Sequence, residues 1–92
     1  MSAEIRKHVV YRGRVQGVGF RYTCCDLARS FTLVGYVRNL PDGDVELEAQ
    51  GQAGEVDRFL ADIADTMRGN IHRATERDVP LATGETRFEI RH

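Results

Sequence analysis

No apolar run in this sequence approaches the length of a membrane span, and the first seven residues, Met1 to Lys7, are polar where a secretion signal would be apolar. A soluble, cytoplasmic protein without a membrane partner is therefore expected. Disulfide frameworks are excluded as well, because the only two cysteines, Cys24 and Cys25, are adjacent and cannot tie distant segments of one chain together. Charge of one sign is also lacking. Thirteen basic and fourteen acidic residues leave a formal net charge of −1, so the chain lacks the basic field that drives nucleic-acid backbone binding. His8, His72 and His92 are too scattered for a metal-ligand pattern, so neither a metal nor a cofactor is expected. A chain of 92 residues has surface enough to bury for one core only. We expect a single domain over residues 1–92, monomeric, with residues 1–7 as a flexible N-terminal segment.

Periodicity supplies the elements. His8 to Arg14 is β-branched and aromatic and stops at Gly13, Gly17 and Gly19, which reads as a strand followed by an irregular loop. Phe20, Cys24, Leu27, Ala28 and Phe31 form one apolar stripe at helical spacing. Val34 to Leu40 is a second strand, Pro41-Asp42-Gly43 a turn, and Asp44 to Gln50 a returning strand with Val45, Leu47 and Ala49 alternating inward. Val56, Phe59, Leu60, Ile63, Ala64 and Met67 predict a second helix that stops near Gly69. Ile71 to Val79 and Thr86 to Arg91 read as two further strands, the last with Phe88 and Ile90 inward. This order predicts an α+β, ferredoxin-like split βαβ sandwich (βαββαβ), an antiparallel sheet with two helices on one face. Arg12, Arg14, Glu46 and Glu48 are expected to pair across the exposed sheet face.

Candidate chemistry concentrates between the first strand and the first helix. Residues Val15, Gln16, Gly17, Val18, Gly19 and Phe20 lead into Arg21. Glycines there let successive N–H groups curl inward, and a helix start adds unpaired N–H groups at the same point, so an anion site is one reading. The other is a plain tight turn with a solvated arginine, and spacing alone does not separate the two. A phosphate loop of the Walker type would need Gly-Lys-Ser/Thr, and a dinucleotide loop would need glycine at Tyr22; neither is present. Cys24 and Cys25 do not begin a Cys-x₅-Arg pattern, since Ser30 and Phe31 stand where arginine is required. Cys24 reads as core instead.

Gln16 to Phe20 partly resembles the aromatic RNA-recognition signature, but Val18 replaces its aromatic and the segment follows the first strand rather than forming the third. A closer resemblance covers nearly the whole chain. Gly13 to Arg21, reading Gly-Arg-Val-Gln-Gly-Val-Gly-Phe-Arg, is similar to the signature loop of the acylphosphatase family. Gly35-Tyr36-Val37-Arg38-Asn39, then Gly43, Val45 and Gln50-Gly51, resembles that family's second block, and Phe88-x-Ile90-Arg91 its end. The resemblance implies hydrolysis of small acyl phosphates, with Arg21 as phosphate-binding arginine, Asn39 as catalytic asparagine and the backbone from Val15 to Phe20 as phosphate cradle. It implies no cofactor and a small acyl phosphate, or phosphate, as ligand. A non-catalytic phosphate-binding regulatory module is the alternative. Two departures stand out: Met67-Arg68-Gly69-Asn70-Ile71 replaces the family's glycine-proline-proline type connection, and the chain ends in His92.

Overall fold

The computed structural model describes residues 3–92. The chain runs β1 (Glu4–Gly13), α1 (Phe20–Ala28), β2 (Leu33–Asn39), β3 (Val45–Gln52), α2 (Ala53–Thr66), β4 (Ile71–Asp78) and β5 (Phe88–Arg91). One sheet holds all strands in the order β4-β1-β3-β2-β5. Alternation in β1 and β3 turns Val9, Tyr11, Val45, Leu47 and Ala49 to one face, where they meet Phe20, Cys24 and Ala28 of α1 and Val56, Phe59, Leu60 and Ile63 of α2 in a single core. The split βαβ layout stands and the expected last strand forms as β5, with one correction to the expected antiparallel sheet: β5 runs parallel to β2, Gly35 opposite Phe88. Such a pairing needs a crossover. Segment 79–87 provides the last leg of it.

Other boundaries move for identifiable reasons. The segment expected to be flexible, 1–7, is strand from Glu4 onward: Glu4 to Lys7 pair with Gln52 to Ala49 of β3. Met1 and Ser2 lie outside the described residues. Helix α1 ends at Ala28, before Phe31, whose ring instead sits 6.0 Å from Phe59. Ala64, assigned to the buried stripe of α2, is exposed at the edge of that stripe, although Ile63 and Met67 on either side of it are buried.

The sheet face without helices is closed by side chains and by segment 79–87. Arg6, only 4% exposed, donates to Glu48 (2.6 Å), Gln50 (3.0 Å) and both oxygens of Glu85 (2.6 and 3.1 Å). Gln50 in turn exchanges two hydrogen bonds with the backbone of Ala82. The expected set of Arg12, Arg14, Glu46 and Glu48 does not pair within itself. Glu46 contacts His8 and Arg38, Glu48 contacts Arg6, and Arg12 contacts Asp44.

Arg6 thus fastens the crossover to the sheet. Removing one partner of a buried ion pair leaves the others uncompensated at a cost of about 3–5 kcal/mol, and Arg6→Ala is expected to lose that much stability in urea. A loss under about 1 kcal/mol is what an exposed pair would give and would contradict this account. The hydrogen bond from Arg6 holds the Glu85 carboxyl below the usual carboxylate range. At Glu46, burial pushes upward, but hydrogen bonds from His8, Arg38 and Tyr36 outweigh it and the net direction is down. Carboxyls lowered in the folded state stabilise it above their unfolded value of about 4.3 and lose that contribution as pH falls through the folded value. Arg6→Ala should therefore show a shallower acid-side loss of stability than the parent protein.

Candidate active site

Residues 14–19 bridge β1 and α1, and two buried side chains set the shape of the bridge: Val15 and Phe20, 1% and 2% exposed. The ring of Phe20 lies 5.0 Å from that of Tyr11. Between these anchors Gly17 and Gly19 take φ of 74° and 77°, left-handed values that a side chain resists. Gly19 is the N-cap of α1, with no side chain capping the helix. Among the described residues no backbone N–H from Val15 to Phe20 donates to a backbone carbonyl; the first helical bond runs from Thr23 to Gly19, at 2.9 Å. Residues 15–20 therefore present free backbone donors at the positive end of a helix.

Arg21 is the second residue of α1 and half-buried. Among the described residues its side chain makes no hydrogen bond or ion pair, like those of Arg14, Arg73 and Arg77 and unlike those of Arg6, Arg12, Arg29 and Arg38. A guanidinium without a partner, on the first turn of a helix whose preceding loop has free N–H groups, is an arrangement that can receive an anion.

Asn39 arrives from the other side of the sheet. Tyr11 and Asn39 both stand opposite Val45 in the register, so the three form one row across β1, β3 and β2. At about 4.8 Å per strand, the row puts Asn39 roughly 10 Å from the residue that leads into the loop. Asn39 shares the parity of buried Val37, so it lies on the helix-covered face. Its Oδ1 is buried and has no hydrogen-bond partner among the described residues. The commonplace role for this residue, fastening the following turn, falls to others: Asp42 accepts from the N–H of Asp44 (2.9 Å), and Leu40 donates to the carbonyl of Asp44 (2.8 Å).

The sequence did not reveal how the loop is held. The Gln16 side chain donates to the carbonyls of both Leu40 and Asp44, at 2.8 Å each. It thereby ties the cradle to the residue after Asn39. On the far side Arg14 and Asn70 exchange bonds: the N–H of Arg14 reaches the Asn70 carbonyl (2.9 Å) and Asn70 Nδ2 reaches the Arg14 carbonyl (3.1 Å). Asn70 belongs to the connection that departs from the family pattern, so that departure sits against the loop. Gln16→Ala removes two hydrogen bonds worth about 1 kcal/mol each and frees the cradle relative to Asn39. Steady-state kinetics should show kcat/KM down by about tenfold, with kcat contributing to the fall because alignment is lost. An unchanged kcat would mean that the brace does not set the geometry.

The two cysteines and His8 stay apart from this constellation, while His72 packs against Gly13 at the start of the loop. Cys24 is fully buried, and burial pushes its thiol well up; Cys25 is shifted the same way, chiefly by burial. His8 contacts Glu46 at 3.0 Å on the opposite sheet face. Among the described residues no group of three or more His, Cys, Asp or Glu side chains is arranged to hold a metal ion, and no helix is long and apolar enough to cross a membrane.

Comparison with known proteins points the same way as the geometry. The family model described as Acylphosphatase matches residues 7–90. A relative from Chlorobaculum tepidum named acylphosphatase is 39% identical over 88 residues, covering 95% of this chain and 96% of its own. One of the same name from Geobacillus thermodenitrificans is 43% identical over 86 residues, with 92% of each chain covered. Among solved structures, the crystal structure of acylphosphatase from Bacillus subtilis superposes with a TM-score of 0.85 at 28% identity, covering 96% of this chain and 99% of that one.

Proposed function

This chain belongs to the acylphosphatase family, and on that premise we propose that Arg21 and the Val15–Phe20 backbone hold the phosphate of an acyl phosphate while Asn39 places the attacking water. The reaction is hydrolysis of the carboxyl–phosphate bond to a carboxylate and inorganic phosphate. A carboxylate is already a good leaving group, so the site has mainly to position water and to neutralise charge on the phosphoryl oxygens. The guanidinium fork of Arg21 grips two of those oxygens and the loop N–H groups take the third. Their bonds strengthen as negative charge spreads in the transition state.

The observation that carries the asparagine role is the buried, unpartnered Oδ1 of Asn39. Such an atom costs about 1–3 kcal/mol unless something donates to it, and a water O–H is the donor this reaction supplies. An amide oxygen accepts a hydrogen bond but takes no proton at neutral pH. Water oxygen therefore bonds to phosphorus, the P–O bond to the acyl group breaks with its electron pair leaving on the carboxylate, and the water's proton passes to a phosphoryl oxygen. No metal enters this scheme. Hydrolysis in H₂¹⁸O with a chelator present tests it: the label is expected in inorganic phosphate. Label in the carboxylate, or loss of activity to the chelator, would overturn the scheme.

An RNA-binding reading would rest on the exposed ring of Tyr22, because Phe20 is buried in the core and Tyr36 lies under the Arg91 guanidinium at 4.3 Å, leaving neither of those rings free to stack on a base. A regulatory, non-catalytic module would not need the unpartnered Asn39 oxygen. Unbridged thiols at Cys24 and Cys25 fit a reducing, cytoplasmic compartment.

A further inference from the structure

A cavity lies at the other end of α1 from Arg21. It is a groove of about 590 Å³, walled by the last turn of α1, the start of β2, and residues 86–88. Its apolar lining includes Cys25, Ala28, Phe31, Leu33 and Phe88. Beneath lies the fully buried ring of Phe59, 6.0 Å from Phe31 and 5.2 Å from Phe88, so the floor is a fixed aromatic platform. Its lining also includes the bases Arg29 and Arg87 and the acid Glu4. Both arginines are about four-fifths exposed and engaged only with exposed near neighbours, Arg29 with Asp26 (3.0 Å) and Arg87 with Glu89 (3.2 Å). Exposed pairs of that kind contribute about 0–1 kcal/mol and are readily exchanged for a better-placed anion.

An apolar trough of a size usual for small-molecule sites, with two guanidinium forks at its rim held only by exchangeable surface pairs, selects a ligand with an apolar body and one anionic end. We propose that this groove binds amphipathic monocarboxylates, with the hydrocarbon tail against Phe31, Leu33 and Phe88 and the carboxylate on Arg29 and Arg87. The ligand would touch α1, whose nine residues span about 13 Å and whose first turn carries Arg21. A carboxylate with an apolar chain is also the class of product released when the acyl group of the substrate is apolar, a link that rests on the function proposed above; binding in the groove does not.

Cys25 is a built-in reporter, since it lines the groove while Cys24 is fully buried. Alkylation of Cys25 by N-ethylmaleimide, followed by tandem mass spectrometry, is to be measured in Arg21→Ala protein, so that binding in the phosphate loop contributes nothing. Octanoate at ten times its dissociation constant should slow alkylation about tenfold and saturably. Acetate and inorganic phosphate, without an apolar body, should not. The doubly substituted Arg29→Glu, Arg87→Glu variant, altered only at exposed positions, should lose the protection while keeping the parent's circular dichroism. No saturable protection by octanoate, or equal protection in the double variant or by acetate or phosphate, would overturn the proposal. Loss of hydrolysis in Arg21→Ala bears on the phosphate loop alone, so the two readings fail separately.

Discussion

Arg21→Ala is expected to lower kcat/KM for an acyl phosphate by about a thousandfold or more, some 4 kcal/mol of transition-state stabilisation, with little change in stability. The size follows from Arg21 being the one side-chain cation assigned to the phosphoryl group, in a scheme where charge neutralisation is most of the catalysis. Little change in stability follows because Arg21 makes no hydrogen bond or ion pair among the described residues and leaves nothing unpaired when truncated. Arg21→Lys should recover only a small part of the activity, since an ammonium supplies a point charge without the two-pronged fork. Full activity in the lysine variant would show that charge alone is needed.

Asn39→Ala is expected to lower kcat by about 10²–10³-fold, the usual cost of removing one well-placed polar group from a reaction centre. Its effect on folding should run the other way. The Oδ1 atom is buried without a partner, so truncation removes an orphaned acceptor, and stability should be unchanged or slightly higher. Sites that are strained or unsatisfied for function commonly trade in this direction. Kinetics and urea denaturation on one preparation check both halves. A variant that lost stability and activity together would instead mark Asn39 as a structural residue of the hairpin.

Much of the fold was legible because the apolar periods are clear: Val45, Leu47 and Ala49 alternate, and Val56, Phe59, Leu60 and Ile63 repeat at helical spacing, all of them buried. What stayed hidden depends on partners distant in sequence. Residues 4–7 gave no strand signal by composition, since Arg6 is buried by Glu48, Gln50 and Glu85 and not by its own hydrophobicity. The parallel pairing of β5 has no local signature; it follows from where segment 79–87 is fastened. The site was legible in part. The glycines and Arg21 mark an anion site as one of two readings of the spacing, and Asn39 stands out only through the resemblance to the family; the structure adds the free donors of the loop and the unpartnered Asn39 oxygen. The braces were not legible: Gln16 and Asn70 act through single side-chain bonds to backbone carbonyls 24 and 56 residues away, which no periodicity reports.

The central claim is a division of labour, with Arg21 and the loop holding phosphate and Asn39 placing water. Titration of inorganic phosphate into the parent protein, Asn39→Ala and Arg21→Ala, followed calorimetrically, tests it most directly. Phosphate affinity is predicted to be nearly unchanged in Asn39→Ala despite its collapsed kcat, and to fall by more than about tenfold in Arg21→Ala, as expected for the loss of a charge-assisted pair of hydrogen bonds. Equal losses of affinity in both variants would contradict the account, because Asn39 would then be holding the phosphate rather than the water.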